Sequence, residues 1–139
     1  MKRILLLCLT VATISVNAQK LSESKVPEAV KTVFTKGYPA TEGKWAKVDG
    51  NYEVSFDKDA KKMTQVIKPN GNLVQTEYAI TVNELPKTVL EYLNTHYKGV
   101  KITEVAHLLK PNGDVQYETV VKGKDVLFDK DGKFIKVEE

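Results

Sequence analysis

The residue types that carry most enzyme chemistry are few in this sequence and stand far apart. Its two histidines, His96 and His107, have no second histidine, cysteine or carboxylate at the spacing of a metal site. The serines beyond residue 18 lie in no Gly-x-Ser-x-Gly elbow, and no glycine-rich phosphate loop occurs. The carboxylates are spread along the chain, so we expect no acid–base pair in one cleft. The sequence therefore predicts a protein that is not an enzyme, with no catalytic residue, no cofactor and no metal ligand.

Two acidic turns raise the question of calcium, but their spacing does not fit it. A helix–loop–helix calcium site needs a glycine at its sixth position and a carboxylate at its twelfth. Counting from Asp57 places Lys62 and Lys68 there, and counting from Asp129 runs past the last residue. Lysines lie between the acidic residues of both turns and would repel a cation. We therefore expect hairpin turns at both places.

Trp45, the only tryptophan, is the candidate anchor for a partner. It alternates with Lys47, while Ala46 and Val48 take the other side of the predicted strand. If Ala46 and Val48 face a helix, then Trp45 and Lys47 lie on an open sheet face and are the candidate partner-binding residues. With the opposite parity Trp45 belongs to the core, the more frequent place for this residue type.

The first eighteen residues have the pattern of an export signal. Lys2 and Arg3 are positive, Ile4–Val16 is apolar, and Val16-Asn17-Ala18 has the small residues of a cleavage site. We expect cleavage after Ala18 and a periplasmic or secreted product without membrane attachment. Lipid attachment at Cys8 is the alternative, but a leucine stands where a small residue would have to precede the cysteine.

The composition of residues 19–139 excludes several classes of function. Cys8 is the only cysteine, so disulfides, thiol catalysis and cysteine-bound zinc are excluded from the mature chain. Without Lys2 and Arg3, 19 lysines stand against 18 acidic residues, a net charge of +1, and no arginine is left. Arginine is the usual residue for phosphate and guanine recognition, so we do not expect nucleic-acid binding.

Turn motifs divide the rest of the chain into short segments. Asp49-Gly50, Asn70-Gly71, Asn112-Gly113 and Asp131-Gly132 are tight-turn pairs. The runs between the turns are rich in alternating, β-branched and aromatic residues and predict antiparallel strands joined by hairpins. The predicted strands are eight: Lys44–Val48, Tyr52–Phe56, Met63–Lys68, Leu73–Ala79, Lys101–Lys110, Val115–Val121, Asp125–Asp129 and Lys133–Val137.

Two segments show helical spacing instead, at about residues 27–37 and 86–98. Each opens with an aliphatic residue and a proline, and Gly37 and Gly99 supply the stops. The sequence also repeats: the two helices match at an offset of 59, and later blocks match with small loop insertions. Tyr52-Glu53-Val54 corresponds to Tyr117-Glu118-Thr119. Residues 19–80 and 81–139 are thus predicted to be two copies of one unit.

These elements predict an α+β fold of two tandem repeats, each with one helix packed on a four-stranded antiparallel sheet. One such unit buries too little surface to be stable alone, so the two repeats are expected to form one compact unit by pooling sheets or cores. We expect both helices on one side of the sheet and the other face open to water.

The aliphatic-Pro-x-x-Val helix starts, Tyr52-Glu53-Val54 and the final Asp-Gly hairpin together resemble the PepSY-like periplasmic proteins of Bacteroidetes-type bacteria. The resemblance covers about residues 20–139 and implies the fold of the β-lactamase inhibitor protein, with tandem units of a helix on a four-stranded sheet. Related PepSY domains have been proposed as inhibitors or chaperones of secreted peptidases. The mature chain departs from the better-known inhibitor by having no cysteine, so inhibition of β-lactamase itself does not transfer.

Two functions remain open at this point. The first is a non-catalytic exported protein that binds a protein or peptide partner in the cell envelope through the open sheet face, and so inhibits or escorts a secreted hydrolase. The second is an envelope protein that binds a small molecule or an ion in the groove between the repeats.

Overall fold

The computed structural model describes residues 19–138. The predicted signal peptide, its cleavage after Ala18 and the alternative at Cys8 lie outside the described residues. Two α-helices occur among the described residues, α1 at Glu28–Gly37 and α2 at Lys87–His96, each with a proline at its N-cap and a short 3-10 turn before it. The strands are β1 Gln19–Leu21, β2 Lys44–Val48, β3 Asn51–Lys58, β4 Lys61–Ile67, β5 Leu73–Ala79, β6 Ile102–Leu109, β7 Val115–Val121, β8 Lys124–Asp129 and β9 Phe134–Glu138.

All nine strands form one antiparallel sheet in chain order, β1 to β9. The eight predicted strands are present, and β1 is an additional short strand that pairs with β2. The two halves of the chain do not form separate four-stranded sheets, because β5 pairs with β6 through registers such as Tyr78↔His107. This pairing satisfies backbone groups that two separate sheets would leave at exposed edges.

The two helices lie on the same face of the sheet, each over its own apolar cluster. Val30 and Phe34 of α1 pack with strand residues of β2 to β4. Val89 and Leu93 of α2, at the corresponding positions, pack with residues of β6 to β8. The halves therefore share one sheet but keep two cores.

A hairpin touches the start of each helix at a glycine. Gly71 lies against the backbone of Ala29, and a Cβ at this glycine would be 3.0 Å from the Ala29 carbonyl oxygen. Gly132 lies against Thr88, where a Cβ would overlap the Thr88 Oγ1. Both glycines also have φ near +80°, which only glycine adopts without strain. These contacts fix the hairpins β4–β5 and β8–β9 against the helices.

Trp45 belongs to the core, so of the two strand parities left open by the sequence the one that buries this residue is observed, and Trp45 is not an exposed anchor on the open sheet face. It is 5 % exposed, and its ring meets the Phe34 ring of α1 edge-on at 5.6 Å. The side chains of β2 thus have the opposite parity, because the aromatic ring buries more apolar surface under α1 than Ala46 would. Lys47 lies on the same helix-bearing side, exposed, with its Nζ 5.5 Å from the Tyr52 ring centroid. Partner binding by Lys47 stays a prediction.

Candidate functional site

The second face of the sheet carries neither helix, and we call it the open face. Side chains alternate along each strand, so on every strand the residues between those that face the cores point to this side. Across the sheet, Glu53 of β3 pairs with Val66 of β4, which pairs with Gln75 of β5. Ala106 of β6 pairs with Glu118 of β7, which pairs with Leu127 of β8. The buried residues of the open face are Val48, Glu53, Thr64, Val66, Gln75, Glu77, Ala106, Leu108, Glu118 and Leu127.

Every buried carboxylate of residues 19–138 lies on the open face. Glu53, Glu77 and Glu118 are 6, 3 and 1 % exposed. Removing a carboxylate from water costs several kcal/mol unless charges and hydrogen bonds compensate for it. Strand positions of this kind normally hold apolar or neutral polar residues, so three buried carboxylates on one sheet face are unusual.

Lys110, at the end of β6, reaches into this carboxylate group. Its Nζ donates a hydrogen bond to Gln75 Oε1, and Gln75 Nε2 donates one to Glu77 Oε1 at 2.8 Å. Burial lowers the pKa of Lys110, while the carboxylates of Glu77, Glu138 and Glu118 act in the opposite direction. The amide of Gln75 thus links a half-buried lysine to a buried glutamate.

Burial raises the pKa of Glu53 to about 8, and the nearby carboxylates of Glu77 and Asp49 add to the effect. Glu53 is therefore mainly protonated at neutral pH. Towards the β8–β9 edge, burial together with Glu138 and Glu104 raises the pKa of Asp125 to about 6. The open face holds ionisable groups whose charge a neighbouring cation would change.

A concave feature, which we call the central groove, lies on the helix-bearing face between the two cores. It has a volume of about 380 Å³. Tyr78 packs on the first core, Tyr117 packs on the second, and His107 stands between them on β6. The His107 ring meets the Tyr78 ring at 5.8 Å and the Tyr117 ring at 5.3 Å, both edge-to-face. The central groove is lined by Lys61, Tyr78, Ile80, Glu84, His107 and Tyr117, among others.

The other residues considered from the sequence have structural surroundings. The exposed ring of His96 stacks on Tyr92 at 3.9 Å, and its Nδ1 is 2.9 Å from the Tyr92 carbonyl oxygen. Asp129 Oδ1 accepts hydrogen bonds from the backbone N–H groups of Asp131 and Lys133 at 2.9 Å, as in an Asx turn. Within the described part of the chain, no group of three or more His, Cys, Asp or Glu residues could hold a metal ion.

The sequence contained a signal for the buried carboxylates that our reading missed. Glu53 and Glu118 occupy the same place in the two repeats, each directly after a tyrosine. Tyr52 belongs to the first core and Tyr117 packs against the second, so each following glutamate must face the other side of the sheet. A glutamate between strand-forming residues in both repeats was thus a recognisable pattern.

A single antiparallel sheet with two helices on one face is the architecture of the β-lactamase-inhibitor-like proteins. The chain belongs to the PepSY-like family, whose model, described as "Putative beta-lactamase-inhibitor-like, PepSY-like", matches residues 12–75 and 49–136. This confirms the family predicted from the sequence. No curated protein matches the chain.

Solved structures from Bacteroides share the fold. A BLIP-like protein from Bacteroides fragilis has a TM-score of 0.64 and 24% identity, over 81% of this chain and 85% of that one. A DUF2874 family protein from Bacteroides uniformis has a TM-score of 0.70 and 18% identity, over 81% and 88%. A structure from Bacteroides eggerthii, described as that of "putative periplasmic proteins", has a TM-score of 0.71 and 16% identity, over 81% of this chain and 88% of that one. No helix among residues 19–138 is long and apolar enough to span a membrane.

Proposed function

We propose that this is a non-catalytic exported protein, built from two copies of a helix-plus-four-strand unit, that binds a protein partner through its open face. The observation that carries the proposal is the burial of Glu53, Glu77 and Glu118 on the face that neither helix covers. Buried ionisable groups with shifted pKa values, such as Glu53, are typical of functional sites. The two-copy origin is supported by the equal length and matching burial of α1 and α2.

The chemistry of the open face indicates what the partner presents to it. A lysine or arginine side chain placed beside Glu53 would favour the charged form of its carboxyl group. Lys110 already brings one positive charge close to this group, through its hydrogen bond with Gln75. The partner is therefore expected to insert a basic side chain from a loop or an extended segment. Because the family is β-lactamase-inhibitor-like, we propose a secreted hydrolase that the chain inhibits or escorts.

Affinity capture with a matched pair of variants tests this proposal. Gln116 is half-buried on the open face, opposite Leu108 and Asp129. Gln116→Arg adds a bulky cation there, whereas Thr95→Arg adds the same side chain on the exposed surface of α2. Residues 19–139 of each form are immobilised, exposed to periplasmic extract of the source cell, and the retained proteins are quantified by mass spectrometry.

We expect at least one protein that the wild type and Thr95→Arg retain and that Gln116→Arg loses. A hydrolase activity in the extract that falls on addition of the wild type alone would identify the partner class. Retention that survives Gln116→Arg but not Thr95→Arg would contradict docking on the open face. So would an extract from which no protein is retained above a blank resin.

A further inference from the structure

The central groove is on the opposite side of the sheet from the open face and has the features of a small ligand site. Its volume of about 380 Å³ falls in the range of small-molecule pockets, roughly 300–1,000 Å³. Three rings from three adjacent strands, those of Tyr78, His107 and Tyr117, form its floor. Successive edge-to-face contacts hold these rings, so the floor is formed before any ligand arrives.

The floor is aromatic and weakly polar. Burial, followed by the positive charge of Lys61, lowers the pKa of His107, which keeps the imidazole neutral at neutral pH. Tyr78 and Tyr117 extend the ring surface on both sides, and Ile80 adds an apolar contact from the segment before α2. This surface suits a flat or branched apolar side chain, whose transfer from water is favourable by about 25 cal/mol per Å².

The rim carries one charge of each sign. Lys61 stands at the start of β4, and Glu84 belongs to the 3-10 turn that leads to α2. Glu84 Oε2 accepts hydrogen bonds from the backbone N–H of Thr81 at 2.7 Å and from its hydroxyl at 2.9 Å. These bonds hold the carboxylate in place and, with Lys61 adding a smaller effect, lower its pKa. Both bonds use the same oxygen, which leaves Oε1 for a ligand.

We infer that the central groove binds a short peptide with free termini and an apolar side chain. Its ammonium group pairs with Glu84, its carboxylate pairs with Lys61, and its side chain lies on the rings of Tyr78, His107 and Tyr117. A ligand with only one charge would leave one rim residue without a partner. The inference gives residues and a ligand class to the second of the two functions left open by the sequence, and it does not depend on the open face.

The histidines provide a direct assay, because the chain has only two. His107 lies in the central groove, whereas His96 is exposed on α2 and serves as the internal reference. The probe is the dipeptide phenylalanyl-leucine with free termini, titrated into ¹⁵N-labelled residues 19–139 while the imidazole resonances are recorded. We expect the His107 resonances to shift saturably and those of His96 to stay in place.

Charge variants separate this mode of binding from nonspecific apolar contact. Lys61→Gln and Glu84→Gln should each lower the affinity for the dipeptide about two- to five-fold, the range expected for the loss of one exposed ion pair. Glu84→Gln keeps the cap, since glutamine also serves in a capping box. Glu23→Gln, in the equivalent 3-10 turn before α1, should leave the affinity unchanged.

Three results would overturn the inference. The first is an unshifted His107 at dipeptide concentrations well into the millimolar range. The second is equal affinity for the N-acetylated, C-amidated dipeptide, which carries neither charge. The third is a His107 shift with N-acetylglucosamine and none with the dipeptide, which would assign the aromatic floor to a sugar.

Discussion

Replacing Glu53 by glutamine tests whether the open face holds a neutral carboxyl group. Burial and the carboxylates of Glu77 and Asp49 raise the pKa of Glu53 from 4.5 to about 8 in the folded protein. In the unfolded chain the group is solvated and ionises near its ordinary value. Between these two pH values the folded state therefore binds a proton that the unfolded state has lost.

The sign and size of the effect follow from this difference. A raised carboxyl pKa favours the folded state at low pH, so the free energy of unfolding falls as pH rises from about 4.5 to about 8. The slope is at most about 1.4 kcal/mol per pH unit, and the whole fall is on the order of 5 kcal/mol. Glutamine resembles the protonated acid and does not titrate. Glu53→Gln should thus be close to neutral at pH near 5 and stabilising by a few kcal/mol near pH 9.

Urea unfolding followed by the fluorescence of Trp45 measures this directly, because the only tryptophan is buried in the first core. The quantity to compare is the difference between Glu53→Gln and wild type at each pH. Titration of Asp125 and His107 is common to both proteins and cancels. Glu42→Gln, at an exposed position, is the matched control for replacing one glutamate by glutamine. A Glu53→Gln difference that stays constant from pH 5 to pH 9 would refute the reasoning.

Two further substitutions test the helix contact and the groove. Gly132→Ala should lower the free energy of unfolding by more than about 2 kcal/mol, since the new Cβ meets Thr88 Oγ1 in addition to the positive-φ strain. Gly123→Ala is the control, because it has the same strain but open space around the new Cβ, and it should cost only about 1 kcal/mol. Equal losses of stability for the two variants in chemical denaturation would contradict the contact with Thr88. The pKa of His107 should lie below 6.5, so that the stability gained from its neutral form is lost as pH falls below that value. Lys61→Gln should raise the pKa of His107 towards 6.5. A His107 titration by NMR that is the same in Lys61→Gln and wild type would contradict the influence of Lys61.

Local signals in the sequence predicted the elements but not how the halves join. The turn pairs and the alternation between them gave all of β2 to β9, and Leu73–Ala79 and Val115–Val121 have the predicted bounds. The 3.6-residue spacing gave both helices, whose observed ends lie within two residues of those predicted. Pooling of the two sheets was one of the two arrangements expected, but the pairing of β5 with β6 that joins them was not predicted, because a contact between strands separated by a helix leaves no local pattern.

The candidate site was harder to predict than the fold. Alternation shows that Trp45 and Ala46 face opposite ways, but only the position of α1 decides which side is buried. The repeated tyrosine–glutamate pair indicates which side of the sheet Glu53 and Glu118 face, but glutamates on strands are usually solvated, so the pair does not indicate their burial. The central groove depends on Tyr78 and His107, which lie in different halves of the chain and meet through the β5–β6 pairing.

Photo-cross-linking in the source cell tests the central claim, that the partner docks on the open face, most directly. A photoreactive phenylalanine is placed at Gln116 on the open face in one form and at Thr95 on α2 in the other, and both are irradiated in living cells. We predict a discrete adduct with one envelope protein from position 116 only, and its loss when the same form also carries Glu53→Gln. Adducts from position 95 alone, or from neither position, would contradict the account.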